Sequence, residues 1–191
     1  MLRNRTERSR APGGHWLPGL ELLQMLVCSV VAVALCFTFV GRVVGVSGAS
    51  MEPTLCQRDR LLVVSTHLHT PQQGDVVVLR KDSFAHEAII KRVIATEGQR
   101  VDIDFASGTV SVDGVVLEEP YVMEPTVDAG DVSFPLTVES GCVFVLGDHR
   151  SESTDSRWSY LGQVDRRCIL GTAVWLLLPG DGDWKRIGGV K

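Results

Sequence analysis

Ser50 lies in Val46-Ser47-Gly48-Ala49-Ser50-Met51-Glu52-Pro53-Thr54-Leu55, with small residues before it and a proline three positions after it. Glycine and alanine leave a hydroxyl open to a visitor, and proline fixes φ near about −65°, so the turn keeps its shape. An exposed serine on a stiff turn is a candidate nucleophile, although the same stretch also reads as an ordinary solvated turn. About forty positions on stands Ala88-Ile89-Ile90-Lys91-Arg92-Val93-Ile94-Ala95, an apolar run broken by two cations. A strand here alternates faces, placing Lys91 with Ile89 and Val93 and leaving Arg92 with Ile90 and Ile94. Burial among such neighbours disfavours the ammonium and lowers the pKa from its usual value of about 10.4. At pH 7 an unperturbed lysine is neutral in only about 4 parts in 10,000, and a drop of about 3 units, costing about 4 kcal/mol, makes it half neutral. Such a lysine can serve as a base. The other reading is a lysine that snorkels its head out of a sheet edge.

A third stretch, Gly147-Asp148-His149-Arg150-Ser151-Glu152-Ser153-Thr154-Asp155-Ser156-Arg157, follows an apolar run at 142–146 and gathers charges and hydroxyls into one loop. Asp155 and Arg157 can pair, and a hydroxyl such as Ser153 can hold a lysine amine in place. Taken in order, these stretches resemble the type I signal peptidases, serine peptidases with a Ser-Lys dyad that remove signal peptides from exported proteins. The resemblance runs through Ser50-Met51-Glu52-Pro53-Thr54-Leu55, Gly74-Asp75-Val76-Val77-Val78, Lys91-Arg92-Val93-Ile94-Ala95 with Glu97-Gly98, and the 147–157 loop, and so covers essentially the whole chain.

The resemblance implies an all-β, mostly antiparallel fold with a small inserted β subdomain, preceded by one N-terminal transmembrane helix. It implies Ser50 as nucleophile, Lys91 as general base and Ser153 as the hydroxyl that positions the lysine. Asp148, Arg150, Asp155 and Arg157 form the polar set that shapes the loop. No metal or organic cofactor is expected. Substrates are preproteins with small side chains at the first and third positions before the cut, bound as an added strand. Val46, Met51 and Leu55 are expected around the first pocket and Ile90 near the second, with core packing as their other reading. Gly48 stands where some members carry a serine two positions before the nucleophile, so the Ser50 N–H is the first oxyanion donor and the second is open. His149 stands where asparagine is common; a Ser-His-Asp triad is disfavoured because Lys91 already fits the base. The archaeal and reticulum branch has histidine at the lysine position, so Lys91 places the chain in the bacterial or organellar branch.

The chain has 191 residues, 45% apolar and 22% charged, with a mean hydropathy of +0.14, which suits one domain plus one membrane segment. Residues 1–19 carry Arg3, Arg5, Arg8 and Arg10 among glycines and prolines, a cytoplasmic basic tail too polar to fold. Residues 22–41 run without a charge, and twenty helical residues span about 30 Å, the thickness of the hydrocarbon core. A cleaved secretory signal is disfavoured because the run is too long for one. Four arginines precede the span and only Arg42 follows closely, so the tail stays in the cytoplasm and the remainder is exported, giving a single-pass membrane protein; the resemblance implies that the membrane is bacterial.

The expected layout is a tail at 1–19, a helix at 20–41, a catalytic β core at 42–97 and 141–191, and the inserted subdomain at 98–140. The exported part has 15 basic and 21 acidic side chains, a net charge of −6, and no basic patch pointing to nucleic acid. A monomer touching the lipid bilayer is expected, with Trp175 and Trp184 as candidate leaflet contacts. Cys56, Cys142 and Cys168 are odd in number and widely spaced, so a disulfide framework is not expected. His67 and His69 lack an apparent third metal ligand and read as surface residues. Two other classes fit parts of the pattern. Self-cleaving repressors share the Ser-Lys dyad but are soluble, against the apolar run; the other is a non-catalytic, membrane-anchored β module.

Overall fold

The structure, a computed structural model, describes residues 17–39, 41–81 and 87–190, with the helix side chains described over 19–35. The chain divides into two compact units, Met1–Phe37 and Thr38–Lys191. The first contains most of helix α1, Leu17–Phe39. Its large apolar side chains are exposed throughout, from Leu20 to Leu35. Among the described residues no helix is long and apolar enough to cross a membrane. The expected helix at 20–41 also ends earlier than its apolar run suggests, because Gly41 and Arg42 already belong to a strand. Of the expected tail at 1–19, residues 1–16 lie outside the described residues, and 17–19 already belong to α1.

The second unit is built from β1 Gly41–Gly45, β2 Arg60–Val64, β3 Val76–Leu79, β4 Ile89–Thr96, β5 Arg100–Asp104, β6 Thr109–Val112, β7 Val115–Val116, β8 Leu136–Thr137, β9 Cys142–Leu146, β10 Val164–Asp165, β11 Ile169–Leu178 and β12 Gly188–Gly189. All pairings are antiparallel. The larger sheet runs β1-β2-β11-β3-β4-β9-β10 with β12 beside β11, and the smaller runs β7-β6-β5-β8. The mostly antiparallel β architecture anticipated from the sequence is present.

β3 is a continuous apolar run because both its faces are covered. Val76 and Val78 pack with Leu61, Val63, Met51 and Leu55, while Val77 and Leu79 pack with Val93, Val145 and Leu161. β5 shows the opposite logic, burying Val101 and Ile103 and exposing Arg100, Asp102 and Asp104, so the smaller sheet has one wet face. Val101, Ile103, Val110 and Val112 close a third core against Ile94, Ala95, Phe144 and Leu146 of the larger sheet. A register shift between Val93 and Ala95 turns both Ile94 and Ala95 toward that core. The Asp113-Gly114 hairpin has φ of 52° and 80°, as the sequence pair foretells.

β11 joins β2 to β3 and so ties the site-bearing half of the sheet together. At Gly171 a Cβ would collide with the Val64 carbonyl oxygen, whereas at Gly188 it would meet nothing within 4 Å. Gly171→Ala is therefore expected to destabilise the chain by about 1–3 kcal/mol and lower its melting temperature by several degrees. Gly188→Ala should leave it nearly unchanged in the same thermal scan. Equal melting of the two variants would refute the close approach.

Candidate active site

Ser50 sits on the connection between β1 and β2. The turn is closed by Glu52 N–H donating to the Ala49 carbonyl at 2.9 Å and Leu55 N–H donating to that of Met51 at 2.8 Å, and it is pinned by the buried side chains of Met51 and Leu55. Fully buried Asp59 holds its far end. The Asp59 carboxylate accepts from Cys56 N at 2.8 Å and Gly180 N at 2.7 Å, and meets Arg186 at 2.7 Å.

Lys91 occupies the middle of β4 opposite Val77, on the face of Ile89 and Val93, as the period of a strand requires. Its Nζ donates to Ser50 Oγ at 2.7 Å, and the side chain is 4% exposed. Burial brings its pKa down from 10.5 to about 8. Asp155 and then Asp148 oppose that fall, and Arg157 adds to it.

Those carboxylates are themselves neutralised. Asp148 takes a two-pronged bond from Arg92, with Nε to Oδ1 at 2.8 Å and Nη2 to Oδ2 at 2.6 Å, plus the Thr54 hydroxyl at 2.5 Å. Arg92 also donates to the Gly74 carbonyl at 2.9 Å and lies over the Tyr121 ring, 3.9 Å from its centre. Asp155 takes Arg157 in the same forked manner, with both bonds at 2.9 Å. Arg150 grips the Gly147 carbonyl at 2.9 Å and Glu119 at 2.5 Å, and also donates to Thr126. All three guanidiniums are essentially buried.

The 147–157 loop meets the serine turn at Gly147, where a Cβ would collide with Ser153 Oγ and the Ser50 carbonyl oxygen. The His149 N–H donates to that same carbonyl at 3.1 Å.

Two expected roles are corrected. Ser153 Oγ is buried beside Gly147 but has no hydrogen-bond partner among the described residues, so it does not hold Lys91 here. Leu55 is fully buried in the core under the turn and does not line a pocket, because it anchors the turn from below. Val46, Met51 and Ile90 do line the cavity beside Ser50 and Lys91, about 340 Å³, together with Val44, Val78 and Gly48. Gly48 has φ of 92° and open space around a would-be Cβ, so its backbone rather than crowding favours glycine.

Arg92, Thr54, Tyr121 and Glu119 were not assigned by sequence. Arg92 carried a signal, since a second cation on the alternate face of a buried strand needs a buried partner. His149 Nε2 stands 3.8 Å from Glu124 Oε2 and makes no bond to Ser50 Oγ. His69 Nε2 meets Asp75 at 2.7 Å, His67 is exposed, and no group of three metal-binding side chains is found among the described residues. The described cysteines are free thiols.

An alcohol within hydrogen-bond reach of a desolvated amine can be deprotonated as it attacks a carbonyl. A family model described as signal peptidase, peptidase S26, matches residues 19–178. The chain is 36% identical to a probable signal peptidase I-1 of Synechocystis over 88% of this chain and 86% of that protein. It is 31% identical to a signal peptidase I of Bacillus licheniformis over 83% and 88%. A solved signal peptidase I from Enterococcus faecalis V583 is 27% identical, with a TM-score of 0.46, over 54% of this chain and 96% of that one.

The lowered lysine pKa has a cost that can be measured. Between pH 8 and 10.5 the unfolded chain binds a proton at Lys91 that the folded chain does not, so stability rises with pH across that window and the full cost is present below it. Lys91→Met, with similar volume and no charge, is expected to be more stable than the parent by about 1–3 kcal/mol in urea unfolding at pH 7. The gain should shrink as pH climbs through the window. A variant no more stable at pH 7 would contradict burial of the amine.

Proposed function

The chain belongs to the signal peptidase I family, peptidase S26, and is a serine endopeptidase; from that premise we propose that Ser50 is its nucleophile and Lys91 its general base in removing signal peptides from exported preproteins. The observation that carries this reading is the 2.7 Å bond from Lys91 Nζ to Ser50 Oγ, with a lysine pKa lowered to about 8. Neutral Lys91 takes the Ser50 proton as Oγ attacks the scissile carbonyl, then delivers it to the leaving amine. Water attacks the acyl-enzyme by the reverse of the same transfers. The Ser50 N–H, which donates no hydrogen bond among the described residues, is the first oxyanion donor, and Gly48 supplies no side-chain donor.

The cavity walls, Val44, Val46, Met51, Val78 and Ile90, suit small apolar side chains before the cut in a peptide that adds as a strand. Asp148, Arg150, Asp155 and Arg157 position the loop around the amine, and Ser153 supports it by packing. The 98–140 region, which contains the smaller sheet, is an insert in the catalytic core.

We place the enzyme at a membrane, with its N-terminus cytoplasmic and residues 42–191 outside. The uncharged run 22–41 and the exposed apolar side chains of α1 support an anchor there. Exposed Trp175, Leu178, Trp184 and Ile187 are groups that would enter the outer leaflet. The enzyme acts as a monomer on single preproteins.

Cleavage of a purified preprotein tests the assignment. Ser50→Ala and Lys91→Ala are each expected to lower kcat/KM by at least about 1,000-fold, and Lys91→Arg to fail as well because a guanidinium stays charged. In the parent, kcat/KM should rise about tenfold per pH unit and level off above about pH 8, since only the neutral amine accepts the proton. Near-normal turnover by Lys91→Ala would remove the lysine from the chemistry.

A further inference from the structure

A second cavity lies away from Ser50. It has a volume of about 700 Å³ and is walled by Arg42 of β1, the 65–71 connection after β2, and the 3-10 turn Arg166–Cys168 with the first residues of β11. Among the described residues its lining has three guanidiniums, a histidine, three hydroxyl side chains and no carboxylate, in a region whose net charge is −6.

The guanidiniums are unequally committed. Arg167 is locked in a forked bond to Asp165 and is largely solvated. The Arg42 side chain makes no ion pair or hydrogen bond among the described residues, its backbone being paired with β2. Arg166 approaches Glu97 only at 4.0 Å, and its Nε is shielded from solvent with no acceptor among the described residues. The outer guanidinium nitrogens of Arg166, whose side chain is about one-third exposed, therefore remain available to an anionic oxygen. Arginine forks match a tetrahedral oxyanion, and hydroxyls from Ser65, Thr66 and Thr70 supply donors from the facing wall. Ile169 and Leu170 add an apolar side to the same space.

We propose that this cavity is a binding site for a phosphate ester, held by Arg42 and Arg166 with the 65–70 hydroxyls, and that its ligand is the headgroup of an anionic phospholipid. The choice of a lipid source rests on the membrane placement given above. Arg42 follows the last residue of α1 by three positions, where a chain emerging from the bilayer meets headgroup phosphates.

The test uses the full chain in nonionic, phosphate-free micelles, titrated separately with dihexanoyl phosphatidylglycerol, dihexanoyl phosphatidylcholine and inorganic phosphate while the melting temperature is read. A saturable rise with phosphatidylglycerol, far smaller with phosphatidylcholine, is expected. Arg42→Gln and Arg166→Gln should each weaken the apparent affinity by about tenfold or more. Arg42 is exposed and unpaired, so its variant keeps the fold if Arg166→Gln does not. A matching rise with inorganic phosphate would support the oxyanion site and remove the lipid from it. No saturable rise with either anion, or an unchanged response in Arg42→Gln, would overturn the site. The readout needs no turnover, and Ser50→Ala should respond like the parent, so failure here is separable from failure of the peptidase reading.

Discussion

A lysine amine kept out of water beside a serine hydroxyl is the constraint around which this structure is arranged. Desolvation alone would favour the neutral amine, but Asp155 and Asp148 stand close enough to pull it back toward ammonium. Each of those carboxylates is taken up by a forked arginine, Arg157 and Arg92 respectively, so that most of its charge is spent before it reaches Lys91. The balance leaves the amine near pH 8 rather than above 10. Leaving either carboxylate unpaired would push the lysine pKa up and shrink the neutral fraction that can accept the serine proton.

This arrangement explains why so much charge is buried in so small a region. Arg92, Arg150, Arg157, Asp148 and Asp155 together with Lys91 are all nearly inaccessible, which is costly unless every group is paired. The pairs also fix geometry. Arg150 and Arg157 tie the 147–157 loop to itself through the Gly147 and Arg150 carbonyls, Thr54 joins Asp148 to the serine turn, and the His149 N–H holds the Ser50 carbonyl. The result is a turn, a strand and a loop from three distant parts of the chain clamped at one point. Gly147 is needed there because a side chain would push them apart.

Much of this was legible in the residues. Alternation along 89–93 correctly paired Lys91 with Ile89 and Val93, and the Asp155–Arg157 pair was readable from two residues on one loop. The Asp113-Gly114 turn announced its hairpin. Other features were not local. β1 was hidden because the apolar run of the helix continues into it, and β8, β10 and β12, two residues each, carry no pattern of their own. Leu55 looked like a pocket residue because sequence shows that a side chain is apolar, not which side of a turn it supports. Arg92 escaped assignment because its partners, Asp148, Thr54 and Tyr121, come from segments up to 56 residues away. Ser153 came to the right place without the right bond.

The most direct test of the account is the titration of Lys91 itself, followed through its 13Cε NMR resonance in the full, selectively labelled chain, with Lys91→Arg used to assign the signal. A midpoint near pH 8 is predicted, well below the 10.5 of an ordinary lysine. A midpoint at or above 10.5 would leave about 3 amines in 10,000 or fewer neutral at pH 7, against about 1 in 10 for a midpoint of 8, and would contradict the mechanism built on the neutral form.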